Sequence, residues 1–230
     1  MQKNNMTDWV EALFSKIRTL YKRIKITHLE KKYNWEVDFW KEVDSSGLSF
    51  DETKGNDYSP SPSFPNVLCK NKKICADDNI MDLGCGKGYA LFLFERFGFG
   101  SLYGVELDAR LALTASDNIR TIYGEYDNKI SIYNIDATQL MDNSETRSAV
   151  NKCNYFYIYN SFPPDVALQV ISELELSIYE LPRKVVVWYA SPSDGCIEGL
   201  NNSDVFMLNR QYKFFMYPAT SVYEFCSKMK

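Results

Sequence analysis

The sequence is poor in the residues that build metal sites and imidazole-dependent active sites. It has one histidine, His28, and none of its six cysteines forms a C-x-x-C pair. Zinc sites need such clusters, so no metal site is expected. One histidine also disfavours hydrolases whose nucleophile needs an imidazole base. His28 lies in a basic stretch far from any nucleophile motif, and we expect it on the surface or at a helix end.

Long apolar runs and an excess of positive charge are missing too. No stretch approaches the roughly 20 apolar residues that cross a bilayer, and the first residues lack the features of a secretory signal. We therefore expect a cytoplasmic protein with free thiols and no transmembrane segment. The net charge of −4 disfavours bulk nucleic-acid binding, because releasing phosphate counterions requires a surplus of lysine and arginine.

The rest of the composition is typical of a globular protein, and the sequence divides into two parts. Hydrophobic residues make up 45% and charged residues 24% of 230 residues, enough for one sizeable core. Residues 1–78 are predicted to form a helical extension that includes a loop around Tyr58. A short helix is predicted from Pro65 to about Lys73, with Ser63 nearby to cap it. Residues 79–230 are predicted to form one compact unit.

The first helical pattern, from Thr7 to about Ile26, has one apolar and one basic face. The apolar stripe runs through Trp9, Leu13, Ile17, Leu20 and Ile24, and the basic residues are Lys16, Arg18, Lys22, Arg23 and Lys25. Three interpretations fit such a helix. It can pack permanently on the helices of the sheet, close as a lid over the ligand site, or lie on a membrane surface.

From Asn79 onward, predicted strands alternate with predicted helices. The predicted strands are Ile80–Leu83, Leu102–Glu106, Ile130–Tyr133, Tyr155–Tyr159 and Lys184–Tyr189. The predicted helices are Tyr89–Phe97, Ala109–Tyr123 and Val166–Ser177. This alternation predicts an α/β fold, a Rossmann-like, doubly wound and mostly parallel sheet with helices on both faces. The β-rich segment Val205–Phe225 predicts a C-terminal β-hairpin at the sheet edge.

Small and acidic residues follow the first three predicted strands. The first strand runs into Asp82-Leu83-Gly84-Cys85-Gly86-Lys87-Gly88, where alternating glycines let a ligand lie against bare backbone. Glu106 follows the second strand, where a carboxylate can accept from both hydroxyls of a ribose. Asp136 follows the third, where it can accept from an adenine amine while Ala137 leaves room for the ring. Together they predict an adenosine pocket.

Three motifs resemble those of a known family. DLGCGKG, GVELD (Gly104 to Asp108) and NIDA (Asn134 to Ala137) are similar to the first three motifs of class I S-adenosylmethionine-dependent methyltransferases. The resemblance runs from about Asp57 to Ser193. Within the family, the chain resembles a subgroup of small bacterial enzymes of unassigned substrate, in which a Tyr-x-Pro element precedes the first motif. It implies S-adenosylmethionine as the cofactor and an unidentified methyl acceptor, such as an amine or hydroxyl of a small molecule or protein side chain.

The resemblance also implies a role for individual residues. By the family's pattern the three loop glycines approach the methionine part of the cofactor. Asp82 steadies the loop and the amino group, Glu106 takes the ribose, and Asp136 takes the adenine amine. The full set of cofactor-binding residues that it implies is Tyr58, Asp82, Gly84, Cys85, Gly86, Gly88, Glu106, Leu107, Asp136, Ala137 and Asn160.

The acceptor is expected at the end of the fourth strand. YIYNSFPP (Tyr157 to Pro164) stands in the place of the family's fourth motif, and the candidate catalytic residues are Tyr159, Asn160 and Phe162. The chain departs from the family here, because relatives often have a proline directly after the polar residue. Tyr157 and Tyr159 can instead simply pack the sheet. Tyr189, Ser191 and Pro192 are further wall candidates by position.

Two alternatives compete with the methyltransferase interpretation. A nicotinamide-dependent oxidoreductase would need glycine at position 89 to complete G-x-G-x-x-G, and Tyr89 stands there. A non-catalytic adenosine-binding protein of the same fold would keep the pocket without the reaction. The intact glycines and both acids argue against a decayed cofactor site.

Overall fold

The structure is a computed structural model that describes residues 63–70, 72–124, 129–214 and 217–228, and ten residues further upstream. Those ten, all helical, are Leu13, Lys16, Ile17, Leu20, Ile24, Thr27, His28, Glu30, Lys31 and Lys32. His28 is exposed, as expected. Tyr58, Trp9 and most of the proposed lid lie outside the described residues, so the division at residue 78 stays a prediction.

The described strands form one seven-stranded sheet in the order β3-β2-β1-β4-β5-β7-β6. They are β1 Asn79–Leu83, β2 Ser101–Glu106, β3 Ile130–Asn134, β4 Tyr155–Tyr159, β5 Val186–Ala190, β6 Phe206–Phe214 and β7 Tyr217–Ser227. The first five are parallel, and β7 pairs antiparallel with both β5 and β6. The predicted α/β fold and its C-terminal hairpin are therefore confirmed.

Helices cover both faces of the sheet. They are α1 Ser63–Cys69, α2 Tyr89–Glu95, α3 Ala109–Tyr123, α4 Ser144–Lys152, α5 Pro164–Glu180 and α6 Asp194–Asn202, with a 3₁₀ turn at Ala137–Gln139. Side chains of α4, α5 and α6 share one core with one face, and those of α1, α2 and α3 share another with the opposite face. Within the described residues, no helix is long and apolar enough to cross a membrane.

Local sequence explains most of these elements. The central strands read as near-continuous apolar runs, such as Tyr155–Tyr159, because parallel strands are buried on both faces. The longer α3 has clear ends. The Asp108 carboxylate accepts from Arg110 N–H at 2.8 Å at its start, and Gly124, at φ +87°, ends it.

Some local predictions differ from the structure. Helices α4 and α6 were not predicted, because α4 is mostly polar and α6 contains Gly195 and Gly199, which lower helix propensity. Helix α1 begins at Ser63 rather than Pro65 and ends at Cys69, so Ser63 lies within the helix instead of preceding it as a cap.

The apolar stripe of the N-terminal helix is exposed where the structure describes it. Leu13, Ile17, Leu20 and Ile24 all keep between 41% and 60% of their surface accessible. Permanent packing on the helices of the sheet would bury these side chains, so that interpretation does not hold for them.

Candidate functional site

The predicted site residues gather at one edge of the sheet. Strands β1 to β5 are parallel, so their carboxyl ends share this edge. The chain order reverses between β1 and β4, and such a switch point leaves a crevice for a ligand. The loops after β1, β2 and β3 therefore form one half of the site, and those after β4 and β5 form the other.

The glycine loop after β1 has a backbone that other residues rarely adopt. Gly84, Gly86 and Gly88 have φ values of +81°, +52° and +82°. The amides of Gly84 and Cys85 both donate to the carbonyl of Val105 at 2.9 Å, which ties the loop to β2. A Cβ on Gly84 would lie 2.6 Å from Ser161 Oγ and closer still to Ser161 Cβ. The glycine loop and the loop after β4 are thus in direct contact.

Asp82, the last residue but one of β1, is a buried carboxylate directly before the glycine loop. Only 3% of its surface is accessible, and no described residue donates a hydrogen bond to it. Burial, and secondarily the charge of Glu106, raises the pKa of Asp82 from 3.8 to about 8. A buried carboxylate in this state favours a cationic ligand, because a neighbouring positive charge would stabilise the ionised form.

Glu106, at the end of β2, braces the glycine loop. Its Oε2 accepts from Gly86 N–H at 2.9 Å and its Oε1 accepts from Asp108 N–H at 3.0 Å. Burial raises the pKa of Glu106, and the two backbone donors act in the opposite direction. Each carboxylate oxygen has a second lone pair, so Glu106 can accept from a pair of ribose hydroxyls without releasing the loop.

The next strand end supplies the features expected of an adenine site. Asp136 Oδ1 accepts from Thr138 N–H at 3.0 Å and from Thr138 Oγ1 at 2.9 Å, which fixes the carboxylate at the start of the 3₁₀ turn. Ala137 is buried, and Leu107 is an apolar side chain that remains 49% exposed at the end of β2. An apolar group beside a fixed carboxylate suits a flat ring that carries an amine.

The ends of β4 and β5 are held in an unusual backbone conformation. Asn160 and Ser191, which directly follow these strands, have φ values of +46° and +52° although neither is glycine. Asn160 N–H donates to Ala190 carbonyl at 3.0 Å, which locks the two strand ends together. No described residue hydrogen-bonds the Asn160 side-chain amide. Such strain costs about 1–3 kcal/mol per residue and clusters at functional sites.

The aromatic residues near this edge separate into core and wall. Tyr157 and Tyr189 are fully buried, and Tyr189 donates from its hydroxyl to Cys196 Sγ at 3.6 Å. Tyr189 therefore belongs to the core rather than to the acceptor wall. Tyr159 is half-buried with its ring 5.8 Å from that of Phe64, and Phe162 is half-buried against the opposite core. Of the predicted aromatic pair, Tyr159 is the one that can face a ligand.

Two further residues of the glycine loop are buried. Cys85 is buried, and burial together with the charges of Asp82 and Glu106 raises the pKa of its thiol well above the usual value. Cys85 therefore contacts a ligand only as a neutral group. Lys87 is fully buried, and its carbonyl accepts from Asn118 Nδ2 at 3.0 Å, which joins the loop to α3.

Two residues of this site were not predicted in their roles. Ser161 packs against Gly84 although 77 positions separate them, and the backbone of Ser191 mirrors that of Asn160 on the next strand. No sequence signal marks the contact of Ser161 with Gly84 or the positive φ of Ser191. Both features follow from the pairing of β4 with β1 and with β5.

Sequence comparisons with known proteins return no relative. No protein-family model matches the chain, and no curated protein is similar to it. The likeness to known proteins lies in the fold.

Solved methyltransferases have the same fold. Magnesium protoporphyrin IX methyltransferase from Synechocystis PCC 6803, with bound SAM, has a TM-score of 0.54 at 15% identity, over 82% of this chain and 88% of that one. TrmN from Thermus thermophilus has a TM-score of 0.56 at 14% identity, over 75% of this chain and 50% of that one. The ribosomal protein L11 methylase from Lactobacillus delbrueckii subsp. bulgaricus has a TM-score of 0.51 at 11% identity, over 73% of this chain and 77% of that one. The chain thus has the Rossmann-like fold of these methyltransferases.

Proposed function

We propose that this protein is an enzyme that transfers a methyl group from S-adenosylmethionine to an amine or hydroxyl acceptor. The observation that carries the proposal is Asp82, a buried carboxylate directly before the glycine loop to which no described residue donates a hydrogen bond. S-adenosylmethionine brings two cationic groups, an ammonium and a sulfonium, into one small ligand. Few cofactors match a buried acid so well.

The remaining residues divide the cofactor between them. The glycine loop faces the methionine part, with Asp82 toward the ammonium. Glu106 accepts from the ribose, and Asp136 accepts from the adenine amine while Leu107 and Ala137 contact the ring. The assignment of Tyr58 to the same site rests on the sequence resemblance. Fixed carboxylates and backbone groups of this kind supply orientation, and the sulfonium supplies the reactive carbon.

A nicotinamide cofactor fits this site less well. Its pyrophosphate carries negative charge and would lie on the glycine loop, beside Asp82 and Glu106. Position 89 is occupied by Tyr89, a buried core residue at the start of α2, where the dinucleotide fingerprint has glycine. Charge and space therefore both favour S-adenosylmethionine.

The acceptor would lie where the loop after β4 meets the glycine loop. Asn160 presents a side-chain amide there whose oxygen can accept a hydrogen bond from an amine or hydroxyl. Tyr159 and Phe162 would flank the acceptor and exclude water, which suits a step in which the cofactor loses its positive charge. Solved structures of this fold include a ribosomal protein methylase, a porphyrin methyltransferase and an RNA methyltransferase, so the fold alone does not select the acceptor.

The direct test of the proposal is ligand binding. We expect calorimetry to give a micromolar dissociation constant for S-adenosylmethionine and S-adenosylhomocysteine, about −8 kcal/mol. S-adenosylhomocysteine should also raise the melting temperature, because it binds only the folded state. Binding of NAD with no heat from either S-adenosyl ligand would replace the proposal with an oxidoreductase. Labelled S-adenosylmethionine incubated with a metabolite extract would then identify the acceptor by mass spectrometry.

Glu106 should contribute strongly to cofactor affinity. We expect Glu106→Ala to weaken S-adenosylhomocysteine binding by about 1.5–3 kcal/mol, because it removes hydrogen bonds between a charged group and the ribose. Loss of the brace on Gly86 would add to this. A 2′-deoxyribose analogue separates the two effects, since the variant should lose less affinity for the analogue than for the parent ligand. Equal losses for both ligands would show that Glu106 only braces the loop.

Asp136 should contribute less, because the adenine amine offers it one hydrogen bond. We expect Asp136→Asn to weaken S-adenosylhomocysteine binding by about 1 kcal/mol. Asparagine can keep the oxygen that accepts from Thr138, so the 3₁₀ turn should persist while an amide donor replaces the oxygen that faces the ring. Calorimetry with an analogue that lacks the adenine amine provides the comparison. If the variant binds the parent ligand as tightly as wild type, Asp136 does not contact adenine.

A further inference from the structure

The N-terminal helix presents an apolar face that the described fold does not cover. Leu13, Ile17, Leu20 and Ile24 follow each other at intervals of four, three and four residues, the spacing of one helix face. Their accessible fractions are 41%, 46%, 60% and 59%. Single exposed leucines are common on proteins, but four on one face over three turns indicate a contact surface.

The same segment concentrates positive charge. Residues 16–32 contain one acid, Glu30, and seven basic residues, which are Lys16, Arg18, Lys22, Arg23, Lys25, Lys31 and Lys32. This gives the segment a charge of +6, which leaves −10 for the other residues, since the whole chain carries −4. Lys16, Lys31 and Lys32 are exposed in the structure. An acidic protein thus carries a short, strongly basic segment beside an apolar face.

We infer that this helix binds the surface of an anionic lipid bilayer, with Leu13, Ile17, Leu20 and Ile24 inserted below the headgroups. The strength of binding by such helices increases with the apolar area that they bury and with their attraction to anionic headgroups. A second copy of the chain would cover the apolar face but would bring two +6 segments together. An RNA would neutralise the charge but leave the apolar side chains in water.

The test is vesicle flotation of the full chain. Vesicles of phosphatidylcholine alone are compared with vesicles that also contain phosphatidylserine, at low and high salt. The variant is Leu20→Glu with Ile24→Glu, which changes two exposed side chains and leaves the core intact. The matched control is Leu113→Glu with Leu176→Glu, on α3 and α5, where the side chains are 62% and 42% exposed. Melting of each protein without ligand checks the fold.

The expected pattern has three parts. Wild type and the Leu113/Leu176 control float with vesicles that contain phosphatidylserine. High salt releases both proteins from these vesicles. The partition coefficient of the Leu20/Ile24 variant is at least about tenfold lower than that of wild type. Binding to both vesicle types alike, or equal flotation of the Leu20/Ile24 variant, would overturn the inference. Failure of the wild type to float would overturn it as well. In that case, salt-sensitive binding of an RNA oligonucleotide would identify RNA as the occupant, and self-association in sedimentation velocity would identify a second copy of the chain. The result is independent of methyl transfer, because the catalytic site contains none of these residues.

Discussion

Replacing Gly84 with alanine should weaken cofactor binding severely while the protein remains folded. The new Cβ would meet Ser161 Oγ at 2.6 Å, and the φ of +81° is one that alanine adopts only with strain. Because Ser161 belongs to the loop after β4, relieving the clash must displace either this loop or the glycine loop. We expect an affinity loss for S-adenosylhomocysteine of at least about a hundredfold, or ~2.7 kcal/mol, measured by calorimetry.

Two further variants isolate the cause. Gly124→Ala introduces the same side chain at a φ of +87°, where no described atom lies within 4 Å of the new Cβ, so it adds backbone strain without a clash. It should lose stability but keep affinity. Ser161→Gly in the Gly84→Ala background removes the atoms that clash, and should recover part of the lost affinity. If Gly84→Ala binds S-adenosylhomocysteine like wild type, the contact between the two loops has no role in the cofactor site.

The fold was largely predictable because its signals are local. The buried strand Tyr155–Tyr159 is a continuous aromatic and aliphatic run, and α3 has a capping aspartate before it and a glycine after it. The order of the C-terminal strands in the sheet was harder to predict from the sequence. Strand β7 lies between β5 and β6 because Tyr217–Ser227 pairs with both, and such long-range pairing leaves no trace in the periodicity of either segment.

The candidate site shows the same division. The places of Glu106 and Asp136 in the fold could be predicted, because Glu106 ends one strand and Asp136 follows another in a parallel sheet whose carboxyl ends share one edge. The positive φ of Ser191 could not, since serine rarely adopts it. Asparagine adopts it more often, but nothing in the sequence assigns it to Asn160. The surroundings of the Asp82 carboxylate could not be predicted either, because they depend on what the fold brings near it. Positive φ values and a buried carboxylate are features expected where function rather than stability determines the structure.

Replacing Asp82 with asparagine should have two large effects of opposite sign. We expect S-adenosylmethionine binding to weaken by about 3 kcal/mol, because the ammonium loses its carboxylate partner. We expect the ligand-free protein to become more stable at pH 7 by about 2–4 kcal/mol. Folding raises the pKa of Asp82 from 3.8 to about 8, and each unit corresponds to about 1.4 kcal/mol between the two protonation states. Chemical denaturation and calorimetry measure the two effects on the same protein.

The pH dependence of the wild type tests the same carboxyl without a mutation. Below pH 3.8 the carboxyl is protonated in both the folded and the unfolded state, so it does not make stability depend on pH. Between 3.8 and about 8 the folded state keeps a proton that the unfolded chain releases, so this group lowers stability as pH rises, and above 8 its contribution is constant. Cofactor binding should ionise Asp82 and release a proton near pH 7, which calorimetry in buffers of different ionisation enthalpy detects. Asp142→Asn, an exposed change of the same charge, should alter neither the pH slope nor the proton release. Wild-type binding without proton release near pH 7 would show that Asp82 does not ionise when the cofactor binds, which contradicts the proposed coupling.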